Sequence, residues 1–144
     1  MQFDGRASKI MIVDHDRTTL EMMQIRLDVA GFHPMAARSS RAALEVLETS
    51  RPAALILERN LPEMCGLELL RAMAAMPGRP VPVLLVGRNL AVEDVREGML
   101  LGVRDCLAKP FSGAAVLERL TRMLKRTASA PGPAPARAVV HINA

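Results

Sequence analysis

The chain of 144 residues has no Trp, no Tyr and only three Phe. That leaves little for stacking bases of single-stranded nucleic acid. It has two cysteines, Cys65 and Cys106, far apart and without metal-ligand spacing. They are expected to be reduced thiols, as in a reducing compartment. No apolar run approaches the ~20 residues that span a bilayer. The opening "MQFDGRASK" lacks the apolar stretch of a signal peptide. A cytoplasmic protein with no membrane contact is the expectation. No helix-turn-helix or zinc-finger pattern accompanies the main domain, so no DNA-binding domain is expected either.

What is present suits one globular domain. Half the residues are hydrophobic and 24% are charged, enough apolar material for a single sizeable core. The net charge of +4 gives at most a weak preference for acidic partners.

Short apolar runs rich in branched residues alternate with helix-period segments. "KIMIVD" (Lys9–Asp14) reads as a strand buried on both faces. The next segment is a helix capped by Asp16, with Leu20, Met23, Leu27 and Ala30 on one face, stopped at Gly31. "FHPMAA" is a weaker strand, placed at a sheet edge because Pro34 removes a ladder donor. "SSRAALEVLETS" is a helix capped by Ser39 or Ser40, and "AALILE" a buried strand ending in Glu58. "GLELLRAMAAM" is a helix ending before Pro77, followed by the strand "VPVLLV". "AVEDVREGMLLG" is a helix with Val92, Val95 and Met99 on one face. "DCLAKPF" is a short strand, and "SGAAVLERLTRMLKR" a helix with Val116, Leu117, Leu120, Met123 and Leu124 inward.

Strict alternation of five strands and five helices predicts a parallel sheet with helices on both faces. In that architecture ligands sit at the carboxyl ends of the strands. Asp14, Glu58, Gly87 and Lys109 all fall there. From Thr127 the composition changes to "TASAPGPAPARA" and then "VVHI". The expected division is an extension at 1–8, a domain at 9–126 and a flexible Ala/Pro-rich tail at 127–144.

The motifs "IMIVDHD", "LILERNLPEMCGLELL", "VPVLLVGRN" and "CLAKPF", in this order, resemble the CheY-like receiver domain of response regulators in two-component signalling. The resemblance covers about Lys9 to Arg126. It implies a (βα)5 fold with strand order 2-1-3-4-5. In that family an aspartate after the third strand accepts a phosphoryl group from a histidine kinase. Two acids after the first strand bind magnesium with it, and a Thr or Ser and a Lys contact the phosphoryl oxygens.

The resemblance puts Glu58 at the acceptor position, Asp14 and His15 at the acidic pair, and Gly87 at the hydroxyl position. Arg88 follows where a small residue is usual. Lys109 matches the family lysine, and Cys106 holds the aromatic switch position. Asp14, His15, Glu58 and Asn60 make a degenerate metal site. Glutamate is one methylene too long for the acceptor geometry, and misplacement by about 1 Å can cost about a hundredfold in rate. Imidazole at 15 is a poor magnesium ligand. Gly87 offers no hydroxyl, and Cys106 is too small to act as a rotating ring. No cofactor is expected, any magnesium site being weakened.

Glu58 is thus expected to be a fixed anion, paired with Lys109 and with Arg88 as a further candidate. Such a pair either imitates part of a phosphorylated state or is purely structural. The expected function is a stand-alone, non-enzymatic, phosphorylation-independent interaction module in bacterial signalling. Its partners would be a histidine kinase or another regulator, met through the last two helices and the last strand. Arg119, Arg122 and Arg126 share one face of the last helix. They read as a solvated face or as a docking stripe. Two alternatives stand beside this: a working phosphoacceptor with a weakened metal site, and a cyclic-dinucleotide adaptor using the basic last helix with Arg137.

Overall fold

The computed structural model describes residues 8–129. Five strands, β1 (Lys9–Val13), β2 (His33–Ala37), β3 (Ala54–Glu58), β4 (Val83–Gly87) and β5 (Val103–Ala108), form one sheet in the order β2-β1-β3-β4-β5. All four pairings are parallel. Helices α1 (Arg17–Val29), α2 (Ser40–Leu47), α3 (Gly66–Ala74), α4 (Val92–Leu100) and α5 (Gly113–Ser129) connect and follow them. The fold class and strand order are those expected.

The period-2 geometry of the strands divides the core in two. Met11, Val13, Leu55, Leu57, Val83 and Leu85 point to the face that carries α2 and α3. Ile10, Ile12, Ile56, Leu84 and Val86 point to the face that packs α1 and α5 through Leu20, Met23, Leu27, Val116, Leu120 and Met123. This explains why the strand sequences are apolar without alternation. β2, carrying Pro34, lies at an edge as predicted.

Local chemistry sets the helix starts. Asp16 Oδ2 accepts from the Thr19 amide at 3.0 Å and caps α1. Ser39, not Ser40, caps α2, its Oγ accepting from the Ala42 amide at 3.0 Å. Ser40 is buried and donates instead to the Met64 carbonyl at 2.9 Å, tying α2 to the loop before α3. Gly66 opens α3 because a Cβ there would stand 2.6 Å from the Glu58 carbonyl oxygen.

Four expectations are corrected. α5 continues to Ser129, three residues into the segment expected to be a flexible tail, because no helix breaker stands before Pro131. α3 ends at Ala74, two residues early, because the amides of Ala75 and Met76 bond to carbonyls only three residues back. β5 begins at Val103 and ends before Lys109, since Val103 fills the core beneath α4. The Val92–Val95–Met99 face of α4 is not its buried face. Val92 is 62% exposed, and Gly98 is the helix's buried residue. The helix approaches the sheet so closely that a Cβ at 98 would lie 2.9 Å from Val103 Cγ2. A small residue faces inward there, which leaves Val92 in solvent and Val95 and Met99 half-buried.

Candidate functional site

Parallel strands bring their carboxyl ends to one crevice, and three charged groups meet there. Asp14 directly follows β1, Glu58 ends β3, and Lys109 directly follows β5. Asp14 and Glu58 are only 1% and 3% exposed. Lys109 Nζ donates to Asp14 Oδ2 at 2.8 Å and to Glu58 Oε1 at 2.6 Å. The other two oxygens are also satisfied. The Asp16 amide donates to Asp14 Oδ1 at 2.9 Å, and the Asn60 amide to Glu58 Oε2 at 2.7 Å. Each of the four carboxylate oxygens therefore has a protein donor. The Lys109 backbone is fixed too, its amide donating to the Gly87 carbonyl at 3.0 Å.

Burial disfavours the Lys109 ammonium, but its hydrogen bonds to Asp14 and Glu58 outweigh that, and its pKa lies above the ordinary lysine value. Asp16, fully exposed, has its pKa lowered by the hydrogen bonds from Thr19.

The remaining predicted residues surround this centre unevenly. His15 is half exposed, with Nδ1 3.8 Å from Asp14 Oδ1. Asn60 acts through its backbone amide, and its Nδ2 reaches the Arg88 carbonyl at a long 3.5 Å. Arg88 is exposed and is not brought to Glu58, contrary to its candidacy as an ion-pair partner. The physical reason is that Lys109 and the Asn60 amide already serve both oxygens of Glu58. Gly87 ends β4 against the carboxylate, where a Cβ would stand 3.0 Å from Glu58 Oε2 and 3.3 Å from Arg59 Cβ.

Cys106 is half buried in β5, and burial pushes its thiol up to about 11. Its backbone is held by α5. Arg119 Nη1 donates to the Cys106 carbonyl at 2.9 Å and to Asp105 Oδ1 at 2.8 Å, while the Cys106 amide donates to the same Asp105 oxygen at 2.8 Å. Arg119 is therefore engaged in holding the edge strand rather than free in a docking stripe. Arg122 and Arg126 are exposed. Arg137 and the tail from residue 130 lie outside the described residues.

Sequence reasoning missed the Arg119–Asp105 pair and, beside the acceptor position, another. Arg59, next to the acceptor position, donates through Nε and Nη2 to Asp94 Oδ2 and Oδ1 at 3.0 and 3.1 Å. Its Nη1 reaches Asn60 Oδ1 at 3.1 Å. The hydrogen bonds to Asp94 hold the Arg59 guanidinium above its ordinary pKa. Asp94 reads in sequence as an ordinary acid in a first helical turn, and nothing in the spacing points it at Arg59.

Residues 10–121 match the family model for the response regulator receiver domain. Among curated relatives, the chain is 34% identical over 125 residues to "Probable transcriptional regulatory protein TcrX" of Mycobacterium tuberculosis, covering 86% of this chain and 53% of that protein. It is 30% identical over 125 residues to response regulator MprA of a Mycobacterium species, covering 87% of this chain and 54% of that one. The chain thus spans about half the length of the curated relatives it matches. Among solved structures, the chemotaxis response regulator CheY4 of Vibrio cholerae superposes with a TM-score of 0.75 at 27% identity, over 81% of this chain and 98% of that one. A receiver domain of a signal transduction histidine kinase from Syntrophus aciditrophicus superposes with a TM-score of 0.75 at 26% identity, over 90% of this chain and 98% of that one.

Proposed function

This chain belongs to the response regulator receiver family, and hence to two-component signalling; from that premise we propose that it is a phosphorylation-independent receiver. It works as a protein-interaction module and catalyses no phosphoryl transfer. The observation that carries the reading is the ion-paired crevice. Asp14 and Glu58 share one lysine ammonium, and all four of their oxygens already have donors. A nucleophilic carboxylate has to be placed in line with the phosphorus, whereas Glu58 is one methylene longer than the family's aspartate and is held in place by Lys109 and the Asn60 amide.

Magnesium does not fit this donor set. It asks for several oxygen ligands in a tight octahedron. Here the carboxylate oxygens are bonded to protein N–H groups, and the second acidic position holds the imidazole of His15. The Lys109 ammonium, bonded to both acids, would also repel a dication brought beside them. That ammonium offsets one of the two negative charges of the buried carboxylates.

The partner is a signalling protein, a histidine kinase or another regulator, docking on α4, β5 and α5. Val92 and Leu100 on α4 are 62% and 86% exposed, and Arg122 adds a cation on α5. The cyclic-dinucleotide reading is weakened because Arg119 is committed to Asp105 and the Cys106 carbonyl.

Incubation with acetyl phosphate and magnesium, followed by intact mass, tests the proposal. The expected result is no added phosphoryl group. A stoichiometric gain of one phosphoryl group that disappears in Glu58→Ala overturns it.

A further inference from the structure

In α4 the one fully buried residue is a glycine, while Val95 and Met99 are half-buried and Leu90 and Leu101, at its two ends, pack against the core. That glycine, Gly98, has no side chain to bury. Val92 and Leu100 face solvent. A helix of nine residues has little stability of its own. Beside these partial apolar contacts, two side-chain tethers hold it. Arg71 of α3 donates to Glu97 Oε2 at 2.6 Å on the surface. Arg59 grips Asp94 with two parallel bonds, the side chains being 30% and 14% exposed.

The second tether leads directly into the crevice. The Asn60 amide donates to Glu58 Oε2, and Asn60 Oδ1 accepts from Arg59 Nη1. Arg59 grips Asp94, and Asp94 Oδ2 also accepts from the Ala91 amide at 3.3 Å, at the start of α4. The Arg59 backbone is itself anchored, its amide donating to the Val86 carbonyl at 2.8 Å and its carbonyl accepting from the Gly66 amide at 2.9 Å. The Arg59 side chain starts out beside Gly87, where a Cβ would crowd its own Cβ at 3.3 Å. Position 87 has no hydroxyl and position 106 no ring, so this run of polar contacts is a direct side-chain route from crevice to helix.

We propose that Arg59 is a positioning residue: its two-bond grip on Asp94 fixes α4 in one place, so that the surface α4 presents is a constant of the fold rather than a response to charge at position 58. The inference rests on the reading of Glu58 as a fixed anion, and it names how that reading reaches the docking surface. Bidentate arginine–carboxylate pairs are the ion pairs with geometric specificity. This one gives a fixed bearing to a helix whose fully buried position is a glycine.

Hydrogen exchange on the full chain, read by mass spectrometry, tests the proposal. Arg59→Met leaves Asp94 free to cap α4 and removes only the grip. It should speed exchange across Val92–Leu100 about tenfold, while amides of β1 and β3 stay at the wild-type rate. Arg59→Lys keeps the charge but not the fork, and should fall between the two. Arg71→Met, which breaks the exposed pair, should have a clearly smaller effect. The proposal is overturned if α4 exchange in Arg59→Met and Arg59→Lys stays within about twofold of wild type. It is equally overturned if Arg71→Met matches Arg59→Met. Should Arg59→Met prove unfolded, Arg59→Lys against wild type decides alone. Acetyl phosphate labelling separates the two readings. A wild-type chain that takes up phosphate but keeps the Arg59 dependence of α4 removes the fixed anion and leaves the tether standing.

Discussion

The carboxylate of Glu58 borders the space that a side chain at position 87 would need: a Cβ on Gly87 would stand 3.0 Å from Glu58 Oε2, 3.1 Å from Leu90 Cδ2 and 3.3 Å from Arg59 Cβ. The backbone at 87 is not among the positive-φ glycines, so glycine there answers a steric demand and not a conformational one. The longer acid at 58 and the residue at 87 therefore share a contact.

It follows that these positions are coupled. Gly87→Thr alone should destabilise by about 1–3 kcal/mol, the usual cost of overpacking. In the Glu58→Asp background, where the carboxylate withdraws by one methylene, the same substitution should cost less. Denaturant melts of the two singles and the double give the coupling directly. Strictly additive effects would show that the two sites do not share the space. For the same reason, restoring phosphoacceptor chemistry should take several changes together, Glu58→Asp with His15→Asp, Gly87→Thr and Arg88→Ala, because such groups act as a unit.

Lys109 holds two buried acids, so losing it leaves both short of a donor. Lys109→Met should destabilise by about 1–3 kcal/mol, more than Glu58→Gln, which leaves Asp14 paired. The double should fall well short of the sum of the singles. A melt series showing Lys109→Met within error of wild type would contradict the crevice described above.

The same pair sets a pH dependence. Hydrogen bonds to Asp14 and Glu58 carry the Lys109 pKa above its ordinary value despite burial. A group whose folded pKa is raised contributes stability that is complete below its unfolded value and is lost as pH rises through the folded one. The window is therefore alkaline, beginning near the ordinary lysine value of about 10.4. Wild-type stability should fall through this window more steeply than that of Lys109→Met, with no difference in slope between pH 6 and 9.

Cys106 should react slowly while the chain is folded. Burial raises its thiol to about 11, so little thiolate exists at pH 8. Iodoacetamide labelling followed by peptide mapping should find Cys106 largely unmodified in the native protein. It should label rapidly in denaturant, where the thiol returns to about 8.5. Rapid native labelling at Cys106 would show that β5 opens at that point.

Arg119 is predicted to stabilise the fold whatever it contributes to docking. Its guanidinium serves Asp105 and the Cys106 carbonyl on the edge strand. Arg119→Ala should destabilise by about 0.5–1.5 kcal/mol, whereas Arg122→Ala, on the exposed side of α5, should change stability by less than about 0.5 kcal/mol. Equal effects at the two positions would mean that the β5 contact contributes nothing.

How the sequence and the tertiary structure divide this protein between them can be seen residue by residue. Runs such as "IMIV" and "LILE" determined the buried parallel strands, because only a strand covered on both faces tolerates apolar residues without alternation. Pro34 determined an edge, since it has no amide to give to a second neighbour. The meeting of Asp14, Glu58 and Lys109 was legible as well, because strand ends in a parallel sheet come to one side. What the sequence left open was where each side chain found its partner. Lys109 was expected to serve Glu58 and serves Asp14 too. Arg88 was a candidate for the crevice and faces solvent. Arg59 and Asp94, 35 residues apart, look unrelated until the chain folds. Helical periodicity placed Val92 inward, but the close approach of α4 to Val103 admitted only Gly98. Local pattern fixes which elements form, because propensity and burial act over a few residues. Pairing and helix rotation are set by distances between elements, which no window of the sequence contains.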